Sequence, residues 1–536
     1  MRGGLEVERM KAGLIINAST IDHHQKEMIR KIVDHPAVQV EVLVDIGRRE
    51  QNEWPVPTVK GTLNAWEGLD PHTLSELRKH SLDWILSLTK VRLQGDVLDL
   101  PVHGVWVFRH QLDQEPFLRD FYNKAHVSHI SLDRLYHRHE AASLKTATIA
   151  LKLNSYSNHL SKVAHMTMDW PLMVSEGIRK SLLHTGRPVS IFRPAPLTWR
   201  EKLKVRQTML LNKVKWWRDA LFSYEYWNVG ISRQTFEQLT DGEPLKVDWM
   251  DQRKDVFYAD PFMYRDGDSW KIIMEEVDHR VVKGFISEWT LDENGKVKED
   301  KGTIQLPVHL SYPYMIQYEG DFYCIPESSA AKEAVLYKWM DGWQPVKTLI
   351  AGFAAIDSTI IQHENRWWLF CTRATSYRGD NEELHVFYAD ELMGEWTPHP
   401  LNPVKIDVRS SRPAGTPFYN KGELYRPAQD CSKTYGGRIA INRVQTLTVD
   451  DFEEETVKII DPVQDSDYSS GVHTISFVND QAVVDGKRTE YRFRHLFKKY
   501  YLYRPLPFER INQKPSARSD YLMGKRKRKT LDKTTV

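Results

Sequence analysis

Cysteine is scarce in this chain. Its 536 residues include three, Cys324, Cys371 and Cys431, an odd number at wide spacing that fits neither a disulfide framework nor a thiolate zinc site. An excess of charge of either sign is also missing. Lys and Arg total 74 and Asp and Glu 72, a formal net charge of +2, so bulk electrostatics select neither nucleic acid nor an acidic partner. No apolar run reaches the ~18 residues of a bilayer span. Arg2 is followed by Glu6 and Glu8 with no apolar stretch of signal-peptide length between. These absences lead to the expectation of a cytoplasmic protein whose route to a membrane is peripheral. Aromatics, by contrast, are plentiful. Seventeen Trp and 23 Tyr suit a β-rich core and a sugar-stacking groove equally. The length calls for more than one domain.

Residues 1–196 alternate strand and helix patterns. AGLIINAS (12–19) is an apolar run that reads as a strand, VQVEVLVD (38–45) alternates and then turns apolar as a second strand does, and DWILSL (83–88) and GVWVFRHQ (104–111) read as the third and fourth. A helix with Thr20 or Asp22 as its cap is expected over 22–34, and another at about 72–82. That order predicts an open α/β sheet with its functional loops at the carboxyl ends of the strands. The run from Asp83 through Gln111 resembles the formyltransferase fold of methionyl-tRNA and sugar formyltransferases. The resemblance carries that family's catalytic His onto His110. It carries the Asn onto Phe108, and the Asp loop onto LYHRH (135–139). Phe donates no hydrogen bond to an oxyanion, and no carboxylate stands in the loop. The resemblance therefore implies a degenerate site, a scaffold or binding role, and no case for a folate cofactor. His126, His129, His137 and His139 cluster in the same region with no Cys or paired carboxylate to complete a ligand set, so no metal is expected.

Residues 197–225 read as a helical connector, apolar at Leu203, Val214, Trp217 and Leu221 and basic at Lys202, Lys204, Arg206, Lys213, Lys215 and Arg218. Such a helix packs on a domain or lies on an anionic surface.

From 226 to 503 a single pattern recurs. YADPFMYRDGDSWKIIMEE, SYPYMIQYEGDFYCIPES, AIDSTIIQHENRWWLFCTR, SRPAGTPFYNKGELYRPAQD and GVHTISFVNDQAVVDGKR each open on a small or polar pair and enter an apolar strand. Each then turns through Gly, Asn or Asp. The openings, Asp260, Tyr312, Asp357, Arg412 and His473, stand about 45 to 60 residues apart, the period of β-propeller blades. The expected fold is thus an α/β formyltransferase-like domain followed by an all-β five-bladed propeller, the strand EYWNVGI (225–231) closing the ring. Opening residues of successive blades line one funnel. The ends of the second strands return beside it with Glu275, Glu276, Glu327, Arg373, Gln429 and Asp430. Tyr312, Trp367 and Trp368 are candidates to stack on a pyranose, the two Trp sitting mid-strand and suiting blade cores better.

The blade pattern resembles the arabinanase, levansucrase and invertase superfamily. There an Asp of the type in YADP and one of the type in AIDS flank a sugar and a Glu is the acid. FYADPF, HLSYPYM, IPESSAA, AIDSTI, RPAG, YRPAQDCSKTYGG and GVHTISF together resemble the propeller of the N-terminal region of glucosamine inositolphosphorylceramide transferases. Bacterial proteins with that propeller often carry a formyltransferase-like domain in front of it. The resemblance implies glycosyl transfer in cell-surface polysaccharide or glycolipid synthesis. Asp260 would be base or nucleophile, Glu327 or Glu276 the acid, and Asp357 the group tuning its neighbours. Tyr312, Arg373, Arg412, Arg426, Asp430, Tyr435 and His473 would bind substrate, the arginines by bidentate pairing with phosphate or carboxylate. The expected ligands are a sugar, sugar nucleotide or glycolipid, with no specific nucleic acid. The alternatives are a sugar N-formyltransferase built on His110 and a non-catalytic glycan-binding scaffold. Residues 504–536, with Lys525 to Lys529 in one basic run, read as a disordered tail able to meet anionic lipid.

Overall fold

The computed structural model describes residues 9–495 except 48–53, 65–66, 138–139, 183–186, 191–194, 254–255, 279–282, 294, 376–379 and 494. The basic run of the tail, together with Arg138 and His139, lies outside the described residues. The chain forms two compact units. The first takes residues up to Lys215 with His399–Asp407 and Leu447–Phe452, and the second takes the rest.

The first unit is built on an eight-stranded sheet. Thr58–Lys60, Val38–Asp45, Met10–Ile16, Trp84–Ser87 and Val105–Phe108 run parallel in that spatial order. Val127–Leu135, Glu140–Ala150 and Arg187–Ser190 continue it antiparallel. The central strands Met10–Ile16, Trp84–Ser87 and Val105–Phe108 read as largely apolar runs because both faces are covered, whereas the edge strand Thr58–Lys60 is exposed to half-buried. Met28, Ile29 and Ile32 of the helix His23–Val33 pack on one face, and Leu77 of the helix Pro71–Arg78 on the other. Asp22 caps the first helix in a box with Gln25.

The second unit is a five-bladed propeller. Four blades are antiparallel sheets in chain order, led by Val256–Asp266, Ser311–Tyr318, Ala355–His363 and Phe418–Asn420. The fifth joins the two ends of the unit. Gln481–Tyr491 pairs with Ser223–Ser232 from Ala482↔Ser232 to Tyr491↔Ser223, so closure of the ring leaves no free edge at this seam. The core is aromatic between blades. Phe262 meets Tyr312 and Tyr314 edge-on at 5.0 and 5.4 Å, and Trp367 and Trp368 are buried.

Candidate functional site

Three blade openings share a backbone signature. Asp260, Tyr312 and Asp357 have φ of +51°, +41° and +52°, a left-handed conformation uncommon for non-glycine residues and unfavourable for a bulky one. Each sits in a register shift of its first hairpin, between Ala259 and Phe262, Ser311 and Tyr314, and Ile356 and Thr359. A bulge re-aims one side chain out of the pleat, and here it turns the same residue of three blades inward.

What these residues touch shows that the five openings converge. Arg412 Nε donates to Asp357 Oδ2 at 2.6 Å and Nη2 to Oδ1 at 3.3 Å. Gln429 Nε2 donates to the same Oδ2 at 3.0 Å, and Arg412 Nη1 reaches Asn381 Oδ1 at 3.1 Å. The guanidinium lies 5.1 Å from the Tyr435 ring centroid. Burial raises the Asp357 carboxyl well above the usual carboxylate range, against the pull of the Arg412 guanidinium and with Glu327 and Asp260 adding to the rise. Tyr312 is fully buried. Its hydroxyl accepts from the Gly415 amide at 2.7 Å and lies 3.0 Å from Thr359 Oγ1. It therefore ties blades two, three and four together and presents no open ring face to a sugar.

The second half of the ring is a carboxylate–histidine cluster. His473 Nδ1 lies 2.5 Å from Asp485 Oδ2 and 3.7 Å from Asp260 Oδ1. Its ring stacks on Trp227 at 3.8 Å. Asp485 Oδ1 accepts the amides of His473 and Thr474, and its Oδ2 accepts the Asp260 amide. Thr474 Oγ1 donates to Asp260 Oδ1 at 2.7 Å. Burial pushes the Asp260 carboxyl up to about 6, with His473 pulling it down and Glu275 and Asp485 pushing it further up. Desolvation lowers the His473 pKa, but Asp485 and Asp260 outweigh it and favour the imidazolium. Asp260, His473 and Asp485 are the only metal-type group among the described residues, their ligand atoms within 4.8 Å of one another. His473 Nδ1 and both Asp485 oxygens are already committed within the protein, which suits a charge cluster better than an ion site.

At the rim, His309 Nε2 meets Glu275 Oε1 at 3.1 Å while its Nδ1 accepts the Gly284 amide at 2.9 Å. Desolvation lowers the His309 pKa, and Glu275, Glu327 and Asp260 raise it by more. Glu327 accepts from Ser329 Oγ at 2.8 Å and from the Asp357 amide at 3.4 Å.

Other expected site residues lie elsewhere. Glu276 bonds Arg253 and Ser287 at 2.5 and 2.6 Å. It points away from Glu275 because neighbours on a strand face opposite sides, so it is not the acid of this ring. Arg426 is buried inside blade four, its guanidinium on Glu454 and the carbonyls of Ser410 and Ser411, and meets no phosphate there. Asp430 pairs with Arg438 at 2.5 Å; its neighbour Gln429 is the one that faces the ring. Arg373 lies over Phe353 and makes no hydrogen bond or ion pair with the ring among the described residues. At Tyr435-Gly436-Gly437 the backbone packs closely on the ring, for a Cβ on Gly436 would stand 2.6 Å from Trp227 and 2.9 Å from His473. Sequence reasoning missed Asp485, Lys487 and His309. Lys487 is buried, its ammonium on the Tyr435 carbonyl and 5.4 Å from the Trp227 centroid.

In the first unit His110 falls in a short 3-10 turn, Arg109–Leu112, after the strand Val105–Phe108. Its Nδ1 has no hydrogen-bond partner among the described residues. Burial, with a smaller push from His159, lowers its pKa to about 3. Phe108 is fully buried. His129 bonds Thr148 and His137 bonds Asp99.

Comparison with known proteins bears on the propeller. The family described as "Glucosamine inositolphosphorylceramide transferase 1, N-terminal" matches residues 250–472, which take in Asp260, Glu327, Asp357 and Arg412 and stop one residue before His473. A protein of Oryza sativa subsp. japonica named glucosamine inositolphosphorylceramide transferase 1 is 34% identical over 210 residues, 38% of this chain and 28% of that protein. The protein of the same name from Arabidopsis thaliana is 31% identical over 208 residues, 38% of this chain and 27% of that one. The chain thus spans under a third of the length of these curated relatives. Among solved structures, a family 117 glycoside hydrolase of Zobellia galactanivorans is 15% identical with a TM-score of 0.32, covering 50% of this chain and 91% of that one. An exo-β-1,3-galactanase from Clostridium thermocellum is 11% identical with a TM-score of 0.32, covering 41% and 58%.

Proposed function

We propose that the propeller funnel is a carbohydrate site performing glycosyl transfer in the synthesis of a cell-surface polysaccharide or glycolipid. The observation that carries this is two buried carboxyl groups from different blades, held by different partners, with Asp260 near enough for its charge to add to the rise of Asp357. Asp260 has its pKa pushed to about 6, while Asp357 is clamped by Arg412. Two carboxyl groups facing one site are the usual equipment for acid–base work on a glycosidic bond. In this reading Asp260 is base or nucleophile, Glu327 is the acid and Asp357 sets the field between them. His309 relays protons at the rim, and Tyr435 and Arg412 contact substrate. The relatives' name supports a glycolipid of the inositolphosphorylceramide type as acceptor, and the sugar enters as a nucleotide or phosphosugar.

A second reading has its own support. Asp357 is engaged by Arg412, His473 by Asp485 and Trp227, and Tyr312 by Gly415 and Thr359, all within the protein, which suits a rigid glycan-binding scaffold. Thermal-shift screening of sugar nucleotides and phosphosugars identifies the ligand, and Asp260→Asn then separates the two. Binding kept with turnover lost supports transfer, whereas a variant as active as the wild type removes Asp260 from the chemistry. The first unit we read as a formyltransferase-like scaffold without formyl transfer. His110 is encased and neutral, with Phe108 beside it where a hydrogen-bond donor would be needed. Folate-dependent formylation of an amino sugar nucleotide, lost in His110→Ala, would reverse that assignment. Synthesis on the cytoplasmic side of a membrane fits these readings together, and fractionation of cells tests it.

A further inference from the structure

We infer that the helix Trp199–Phe222 is a docking element for an anionic membrane surface. At 24 residues it is the longest helix described, about 36 Å at 1.5 Å per residue. Thr198 and Glu201 cap its start reciprocally, the Thr198 amide donating to Glu201 Oε2 at 2.8 Å and the Glu201 amide to Thr198 Oγ1 at 3.3 Å. Val205 and Thr208 are its buried residues, and Val205 packs with Phe121, Leu151 and Leu197. The side away from them is apolar as well. Trp199, Leu203, Leu210, Val214 and Trp217 are 70%, 47%, 64%, 60% and 52% exposed. At 100° per residue these five fall within about 60° of one another, a continuous stripe along the helix.

A row of exposed Leu, Val and Trp of this length calls for an occupant. Its borders say which. Arg206 and Lys213 follow one edge of the stripe, Arg200 and Arg218 the other. The helix carries seven Lys and Arg against Glu201 and Asp219. Lys202 is paired with Glu115 and Arg218 with Asp219, whereas Arg206, Lys213 and Lys215 are exposed and make no ion pair among the described residues. A second copy of the helix would bring two cationic borders together. The chain's own residues 496–536, with twelve Lys and Arg against three acids, would do the same. A bilayer with anionic headgroups satisfies both halves of the pattern, taking the apolar stripe into its interface and pairing the basic borders with phosphate and carboxylate. Trp at both ends of the stripe suits the headgroup level. No helix among the described residues is long and apolar enough to cross a membrane, so this one lies in the plane. This docking stands independently of the chemistry assigned to the propeller.

The test is co-sedimentation of the full chain with vesicles of phosphatidylcholine, alone or mixed with phosphatidylserine. Binding is expected to the mixed vesicles, weakening as salt rises. Leu210→Glu/Val214→Glu is expected to lower the partition coefficient by at least about tenfold, and Arg206→Glu/Lys213→Glu by a similar factor. All four positions are exposed, and an unchanged unfolding midpoint shows that each variant is folded. Undiminished binding by the first variant would move the contact to the basic tail and overturn the inference. So would absence of vesicle binding together with concentration-dependent dimerisation that the first variant abolishes.

Discussion

Arg412 grips Asp357 from the neighbouring blade with two nitrogens, at 2.6 and 3.3 Å, and both side chains are withdrawn from solvent. A buried pair is not in itself strongly stabilising, but removing one partner leaves the other charge uncompensated. Arg412→Gln should therefore destabilise the propeller by about 3–5 kcal/mol. Adding Asp357→Asn to it should restore most of that loss. Urea unfolding of the two single variants and the double variant measures the coupling. Additive losses would mean that the two side chains act separately.

The Asp260 carboxyl makes stability depend on pH in a direction opposite to most carboxylates. Burial raises it from 3.8 to about 6, so the folded state holds this proton more tightly than the unfolded chain. The contribution is fully present below about pH 4 and is lost as pH rises through about 6. Two units bound it at about 3 kcal/mol. Asp260→Asn does not titrate. Between about pH 4 and 7 the wild type should thus lose up to about 3 kcal/mol relative to the variant in urea unfolding. Parallel pH profiles would place the proton on another member of the cluster.

Tyr312 is predicted to matter for blade packing more than for ligand. Tyr312→Phe leaves the buried Gly415 amide without its acceptor at 2.7 Å, a loss of about 1–3 kcal/mol. Once a ligand is known from thermal shift, the affinity of this variant should be close to that of the wild type. A large affinity loss with unchanged stability would return Tyr312 to the binding surface.

The blades are legible in the sequence because strand and turn chemistry repeat: an apolar run, a Gly, Asn or Asp turn, then an aromatic strand. The facing of individual side chains is less so. Glu275 and Glu276 are adjacent, and which of them looks into the funnel is set by the register shift between Ala259 and Phe262, invisible without the partner strand. The same holds for Gln429 against Asp430, and for Arg426, whose partner Glu454 lies two strands away in its own blade. Asp485 hides because AVVDGK reads as the middle of an ordinary strand. Only the folded ring shows its oxygens receiving the amides of His473, Thr474 and Asp260. His309 lies in a loop between blades, with no periodic pattern to mark it.

Gly436 and Gly422 both have positive φ, +55° and +82°, and so allow crowding at the ring to be separated from backbone strain. A Cβ at Gly422 meets nothing within 4 Å, whereas one at Gly436 meets Trp227 at 2.6 Å and His473 at 2.9 Å. Gly422→Ala should cost about 1–2 kcal/mol, the strain of a left-handed residue alone. Gly436→Ala adds a displacement of Trp227 from its stack on His473 and should cost at least about twice as much. Because His473 bears on Asp260, the Gly436 variant should also shift the pH profile of stability, and Gly422→Ala should leave it unmoved. Chemical unfolding of both variants from about pH 4 to 7 reads both effects. Equal losses and equal profiles would show that the loop yields to the methyl group without disturbing the ring.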